Sequence, residues 1–136
     1  MSKPIPPVQK YMTTSPHSVG LDQTIAFAQA TMRELSVRHL PVLAGGKLVG
    51  MLTERDIALI ETLKDVDPKV VTVEDAMSRE VYAVSPDAPL DVVAKEMASK
   101  KYGSAVVLSN DKVVGIFTTV DLAEALYELL HGRLAK

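Results

Sequence analysis

Two seven-residue stretches carry the residue types on which ligand chemistry can rest. Gly50-Met51-Leu52-Thr53-Glu54-Arg55-Asp56 is matched, 65 positions later, by Gly115-Ile116-Phe117-Thr118-Thr119-Val120-Asp121. Each copy has a Gly, two apolar residues, a Thr, two variable residues and an Asp. Each follows an apolar, strand-like run and precedes a helix-like one. A helix N-terminus presents N–H groups and the positive end of the helix dipole, which suits a phosphate. A carboxylate in the first helical turn can accept both hydroxyls of a ribose. The Gly ahead of it lets a ligand or a neighbouring backbone come close. Thr-x-x-Asp is also the spacing of a capping box, in which Thr and Asp each take a backbone N–H of the other. One copy alone reads most simply as that cap. Two copies in equivalent places point to a pair of clefts for ribose and phosphate.

The duplication extends well beyond the motif. The same shift lays Met12 on Met77, Val19 on Val84, Asp22 on Asp87 and Met32 on Met97, and Val42-Leu43 on Val107-Leu108. The register holds without a gap from Val8/Val73 to Ala58/Ala123. Within each copy the patterning predicts strand, helix, strand, strand, helix. A short strand near Ser18-Val19 precedes a helix carrying Ile25, Ala28, Met32 and Leu35, which Asp22 is placed to cap; Pro89 suits the first turn of its counterpart. Hairpins are expected around Ala44-Gly45-Gly46 and Ser109-Asn110-Asp111. Closing helices run from about Arg55 to Leu63 and from Val120 to Leu130, with Gly132 able to end the second. The expected division is one repeat over 8–63, a linker over 64–71 and a second repeat over 72–131. Halves below about 60 residues are marginal as free-standing cores, so two should pack together about an approximate two-fold axis.

Composition narrows the function classes. The chain has 136 residues, 47% hydrophobic and 24% charged, with a formal net charge of -2. That balance, without a basic stripe, argues against nucleic acid as a partner. Cysteine is absent, which removes disulfides, thiolate metal sites and cysteine nucleophiles. With no signal-peptide core and no apolar run near the ~20 residues of a membrane span, the expected location is cytoplasmic. His17, His39 and His131 are too scattered for a metal cluster. Ser15 and Ser18 near His17 lack the elbow and oriented acid of a hydrolase, so no catalytic residue is assigned and the chain does not read as an enzyme. Leu122, Leu126, Leu129 and Leu130, beside Ala125 and Tyr127, form a stripe wide enough to bury more than one side of the last helix.

The repeated Gly-x-x-Thr-x-x-Asp, the Arg38-His39-Leu40-Pro41-Val42 strand and the lead-in from Met12-Thr13 to Val19 resemble a tandem pair of CBS domains, a Bateman module, over about Val8 to Leu130. The resemblance implies an α/β fold of two β-α-β-β-α repeats with pseudo-two-fold symmetry, a homodimer of modules, and no remaining catalytic domain. It implies a regulatory adenosine-containing ligand (AMP, ADP, ATP or S-adenosylmethionine) in clefts between the repeats, signalling to a partner protein whose identity is open. Carried over, Asp56 and Asp121 hold ribose, and Thr53 and Thr118 lie near phosphate. Ser15, Pro16 and His17 in one half, and Val81 and Tyr82 in the other, frame the base. The second strands contribute Arg38, His39 and Pro41, and Ser104 and Val106. Arg38, His39 and Arg55 are able to meet a phosphate, whereas their equivalents are Gly103, Ser104 and Val120. Unequal sites are therefore expected. The alternative from another class is a ligand-independent dimerisation or scaffold module in which Thr-x-x-Asp is only a cap.

Overall fold

A computed structural model describes residues 4–134. They divide into two compact units: unit I is Pro16–Val81, and unit II combines 4–15 with 82–134. In chain order the elements are a 3-10 turn Val8–Lys10, β1 Thr13–Thr14, β2 Val19–Gly20, α1 Ile25–Leu35, β3 His39–Ala44, β4 Lys47–Thr53, α2 Glu54–Glu61 and α3 Val73–Ala76. They continue with β5 Ala83–Val84, α4 Leu90–Lys100, β6 Ser104–Ser109, β7 Lys112–Thr118 and α5 Thr119–Leu134.

Each unit is an α/β layer built to one plan. In unit I the sheet order is β2-β3-β4, and in unit II it is β1-β7-β6-β5. β2 runs parallel to β3 and β5 parallel to β6, while the hairpins β3–β4 and β6–β7 are antiparallel. Both hairpins turn through two residues of positive φ, Gly45 and Gly46 in one, Asn110 and Asp111 in the other. That is the primed turn which matches strand twist. Both shift register at the same place, Val42/Leu43 and Val107/Leu108.

The cores correspond position by position. Ile25, Ala28, Met32, Leu40, Val42 and Leu52 pack in unit I; Leu90, Val93, Met97, Ala105, Val107 and Phe117 pack in unit II. Leu40 faces Leu52 across one hairpin, and Ala105 faces Phe117 across the other. A small–large pair thus stands where unit I has two leucines.

The repeat in sequence and the unit in space are not the same residues, because the heads of the repeats are exchanged. In unit II, Val8 N–H donates to Ala88 O at 2.8 Å, Gln9 N–H to Pro86 O at 3.1 Å and Leu90 N–H to Pro6 O at 2.9 Å. In unit I the matching bonds are Val73 N–H to Gln23 O at 2.8 Å, Glu74 N–H to Leu21 O at 3.1 Å and Ile25 N–H to Val71 O at 2.9 Å. Ala26 N–H also donates, to Pro68 O at 2.9 Å. The stretch expected as a linker therefore supplies carbonyls to the free amides at the start of α1. The exchanged segments then pair with the sheet edges. Thr13 and Thr14 lie against Ile116 and Gly115, and Ser78 and Met51 trade two 2.9 Å backbone bonds.

Two local expectations are corrected. The N-cap of α1 is Thr24, whose Oγ1 accepts Phe27 N–H at 3.1 Å, not Asp22. Gln23 accepts Gly20 N–H at 2.8 Å, so the turn continues two residues further before the helix starts. Gly132 does not end the last helix, which runs on to Leu134. One exposed Gly costs only about 1 kcal/mol in a helix.

The exchanged heads explain the motif glycines. A Cβ on Gly50 would sit 2.6 Å from Met77 Sδ and 2.8 Å from the Ser78 carbonyl oxygen; on Gly115 it would meet only atoms of the Met12 side chain. A methionine can rotate away, but a carbonyl held in a strand pair cannot. Gly50→Ala is accordingly expected to cost about 1–3 kcal/mol, and Gly115→Ala distinctly less. Urea unfolding of the two variants would measure the difference, and equal costs would contradict this account.

Candidate functional site

Strand pairing assembles the first motif. His39 stands directly opposite Thr53 at the end of the β3–β4 ladder, and Arg38 O accepts Glu54 N–H at 2.9 Å, which carries the ladder into the first turn of α2. Thr53 Oγ1 accepts Asp56 N–H at 3.1 Å, while Asp56 Oδ2 accepts Thr53 N–H at 2.9 Å. The capping box is thus formed, and it uses amides that a helix start would otherwise offer to a ligand. Among the described residues, Oδ1 of Asp56 accepts no hydrogen bond. Arg38, His39, Thr53, Glu54, Arg55 and Ala58 line an open hollow of about 310 Å³.

Charge in this hollow is mixed. Arg38 Nε lies 3.8 Å from Glu54 Oε2, with both side chains largely exposed, so the pair adds little stability. Glu54 and Ala58 are wall residues that the motif reading did not single out; their place in the first turn and a half of α2 was the available signal. Burial lowers the pKa of His39 below 6.5, Arg38 adds to the effect, and Asp56 opposes it.

The second motif is built alike and closed differently. Ser104 faces Thr118 across β6–β7, and Asp121 Oδ2 accepts Thr118 N–H at 2.9 Å. Thr118 Oγ1 also donates to Oδ2 at 3.2 Å, and its bond from Asp121 N–H is a long 3.4 Å. Thr13 Oγ1, arriving on the exchanged strand, donates to Asp121 Oδ1 at 3.1 Å. Asp121 is only 8% exposed, the one buried charged residue among those described. Thr13 was absent from the expected site residues, since nothing in sequence links it to a carboxylate 108 positions away.

The remaining expected residues are divided between the two units. Ser15, exposed and at φ 47, belongs to unit II, whereas Pro16 and the exposed His17 belong to unit I. Val81 ends unit I, and Tyr82 begins the second part of unit II. The Tyr82 ring stacks on Tyr102 at 5.1 Å between centroids. Burial raises its phenol pKa, with Glu96 and Tyr102 adding to the rise. Pro41 and Val106 are fully buried, each between two core-facing neighbours of its strand. Among the described residues no cluster of His, Cys, Asp and Glu suits a metal, and no helix is long and apolar enough to cross a membrane.

There are two further hollows, the first of which shares Arg38, Glu54 and Ala58 with the one just described. One, of about 430 Å³, runs between α1 and α2 past Gln29, Arg33, Ser36 and Glu61. The other, of about 400 Å³, lies between α4, α5 and the lead-in, with walls mainly of Ile5, Leu90, Leu122, Leu126 and Leu129. Its lining is mostly apolar, with Lys10, Asp91 and Glu128 as its charged members.

The comparisons with known proteins agree on the repeats. A family model described as CBS domain matches residues 8–60 and 73–128. The CBS domain-containing protein YhcV of Bacillus subtilis is 34% identical over 116 residues, covering 85% of this chain and 82% of that protein. Hypoxic response protein 1 of Mycobacterium tuberculosis is 31% identical over 111 residues, 81% of this chain and 78% of that protein. A solved structure of the CBS domain pair of protein MJ0100, in complex with 5′-methylthioadenosine and S-adenosyl-L-methionine, has a TM-score of 0.84 at 28% identity, covering 93% of this chain and 99% of that one.

His39 has a pH consequence. The unfolded histidine gains its proton near pH 6.5, and the folded one only at lower pH. Below the unfolded value the unfolded chain binds more protons, so stability falls as pH falls through about 6.5 and levels off once folded His39 is also charged. Urea unfolding between about pH 7.5 and 5.5 should show a shallower decline for His39→Gln than for the wild type; parallel declines would remove His39 as the cause.

Proposed function

The chain belongs to the CBS-domain family, and we propose that it is a regulatory module binding an adenosine-containing ligand (AMP, ADP, ATP or S-adenosylmethionine) at the Thr53–Asp56 helix start. The observation that carries this reading is that, among the described residues, Oδ1 of Asp56 accepts no hydrogen bond, in a motif whose Thr53 and Arg55 line a hollow with Arg38 and His39. The carboxylate oxygen suits a ribose hydroxyl, the two guanidinium groups suit a phosphate or carboxylate, and the imidazole offers a neutral hydrogen bond. The ligands of the MJ0100 pair, both adenosine derivatives, support the ligand class. In this reading Thr53 borders the phosphate, and Ser15, Pro16, His17, Val81 and Tyr82 serve the base. Binding shifts the module between conformations only by its affinity difference for them, and a partner protein reads the outcome.

A thermal-shift screen with AMP, ADP, ATP, S-adenosylmethionine and GTP as control tests the reading. A ligand at 100 times its dissociation constant adds about 2.7 kcal/mol, which should raise the midpoint by about 10 °C in a domain of this size. Asp56→Asn should keep the fold and lose most of the shift. No shift with any adenosine compound at millimolar concentration would reject it.

Self-association is the second part of the proposal. Leu126, Tyr127 and Leu130 of α5 are 57%, 68% and 47% exposed, an apolar face that a second copy can cover. It also suits the alternative of a ligand-independent dimerisation module, for which the two capping boxes need no ligand. Light scattering should give a dimer mass for the wild type and a monomer mass for the double variant Leu126→Glu, Leu130→Glu. A monomeric wild type would rule out both uses of this face.

A further inference from the structure

We propose that the two motif carboxylates have opposite fates: Asp56 is open to a ligand's ribose, and Thr13 holds Asp121 shut. This rests on the ligand reading above and assigns its stoichiometry, one ligand per chain.

A ribose diol needs two acceptor positions on one carboxylate. At Asp121, Oδ2 receives Thr118 N–H at 2.9 Å and Thr118 Oγ1 at 3.2 Å, and Oδ1 receives Thr13 Oγ1 at 3.1 Å. The same Thr13 hydroxyl lies 3.4 Å from Oδ2, so it spans the carboxylate. With the residue buried and three of its lone-pair sites taken, a diol seats both hydroxyls only when a donor leaves, and Thr13 is the donor from outside the cap. Among the described residues Asp56 receives only Thr53 N–H, and it is half-buried.

The difference arises from one side chain on the exchanged strand. Ser78 occupies the place in unit I that Thr13 occupies in unit II: Ser78 pairs with Met51 as Thr13 pairs with Ile116. Yet the Ser78 hydroxyl donates to Glu80 O at 3.3 Å and leaves Asp56 alone. The phosphate-binding side-chain types divide the same way. Arg38, His39 and Arg55 accompany the open carboxylate, while Gly103, Ser104 and Val120 hold the equivalent positions beside the closed one. Thr13 itself is exposed, so removing its hydroxyl disturbs no core packing. It is a positioning residue whose effect passes through Asp121.

Isothermal titration of the full chain with AMP, ATP and S-adenosylmethionine, using the tightest of the three, tests the assignment. The wild type should bind one equivalent, Thr13→Ser one, and Thr13→Ala two. Adding Asp56→Asn to Thr13→Ala should return the count to one. Two equivalents in the wild type, or one in Thr13→Ala, would overturn the proposal while leaving the ligand reading intact. No binding by any variant that circular dichroism shows to be folded would overturn both. A ligand-free check is a double-mutant cycle of Thr13→Ala with Asp121→Asn in urea. The coupling should be about tenfold in the unfolding equilibrium constant, as for a hydrogen bond to a charged group; its absence would dispose of the latch.

Discussion

The amides that open a helix have no partners within it, and in this protein the arrangement of both units follows from how those amides are satisfied. Ile25 N–H finds the carbonyl of Val71, and Leu90 N–H finds that of Pro6. Each acceptor lies on a segment that precedes the other repeat. Once a segment is held there, its next residues are delivered to an open sheet edge, at Met51 in one unit and at Gly115 and Ile116 in the other. The edge is capped, and the price is a backbone approach so close that only glycine fits at position 50. The helix start, the sheet edge and the motif glycine are thus one constraint seen at three places.

The Thr-x-x-Asp motif shows how a structural device and a binding device can share atoms. In both units the Asp satisfies the backbone of its Thr, so neither carboxylate is present for ligand chemistry alone. A carboxylate has more lone pairs than a cap requires, and the surplus is what a ligand can use. Whether that surplus is available depends on neighbours outside the motif. Family membership therefore identifies a candidate position, and the local hydrogen bonds determine its state.

Much of this was legible in the sequence. A 65-residue shift exposed the duplication, and helical and alternating periodicities located the elements because each packs one face on a core. The hairpin turns were marked by Gly45-Gly46 and Asn110-Asp111, which tolerate positive φ. The exchange of heads was not legible. Two copies of one pattern specify the pairings within a unit but not which copy supplies each head. The start of α1 was misjudged because Asp22 and Thr24 both cap well, and the choice between them depends on where Val71 arrives. The inequality of Thr13 and Ser78 was illegible for a related reason. Both are hydroxyl residues at one repeat position, and only the surroundings direct one to a carboxylate and the other to a carbonyl.

The exchanged heads also set an order of assembly. Unit I is continuous in the chain and has all its parts once residue 81 has been made. Unit II takes β1 from the stretch before unit I and its other strands from the stretch after it, so β1 must wait for segments made later. Its ends are brought together over 108 residues at Thr13 and Asp121, a closure whose entropic cost grows only slowly with length. A folded unit I shortens the flexible part of that span. During synthesis β1 therefore stays unpaired until its partner strand β7 has been made, and the Thr13–Asp121 bond can follow only once the first turn of α5 exists.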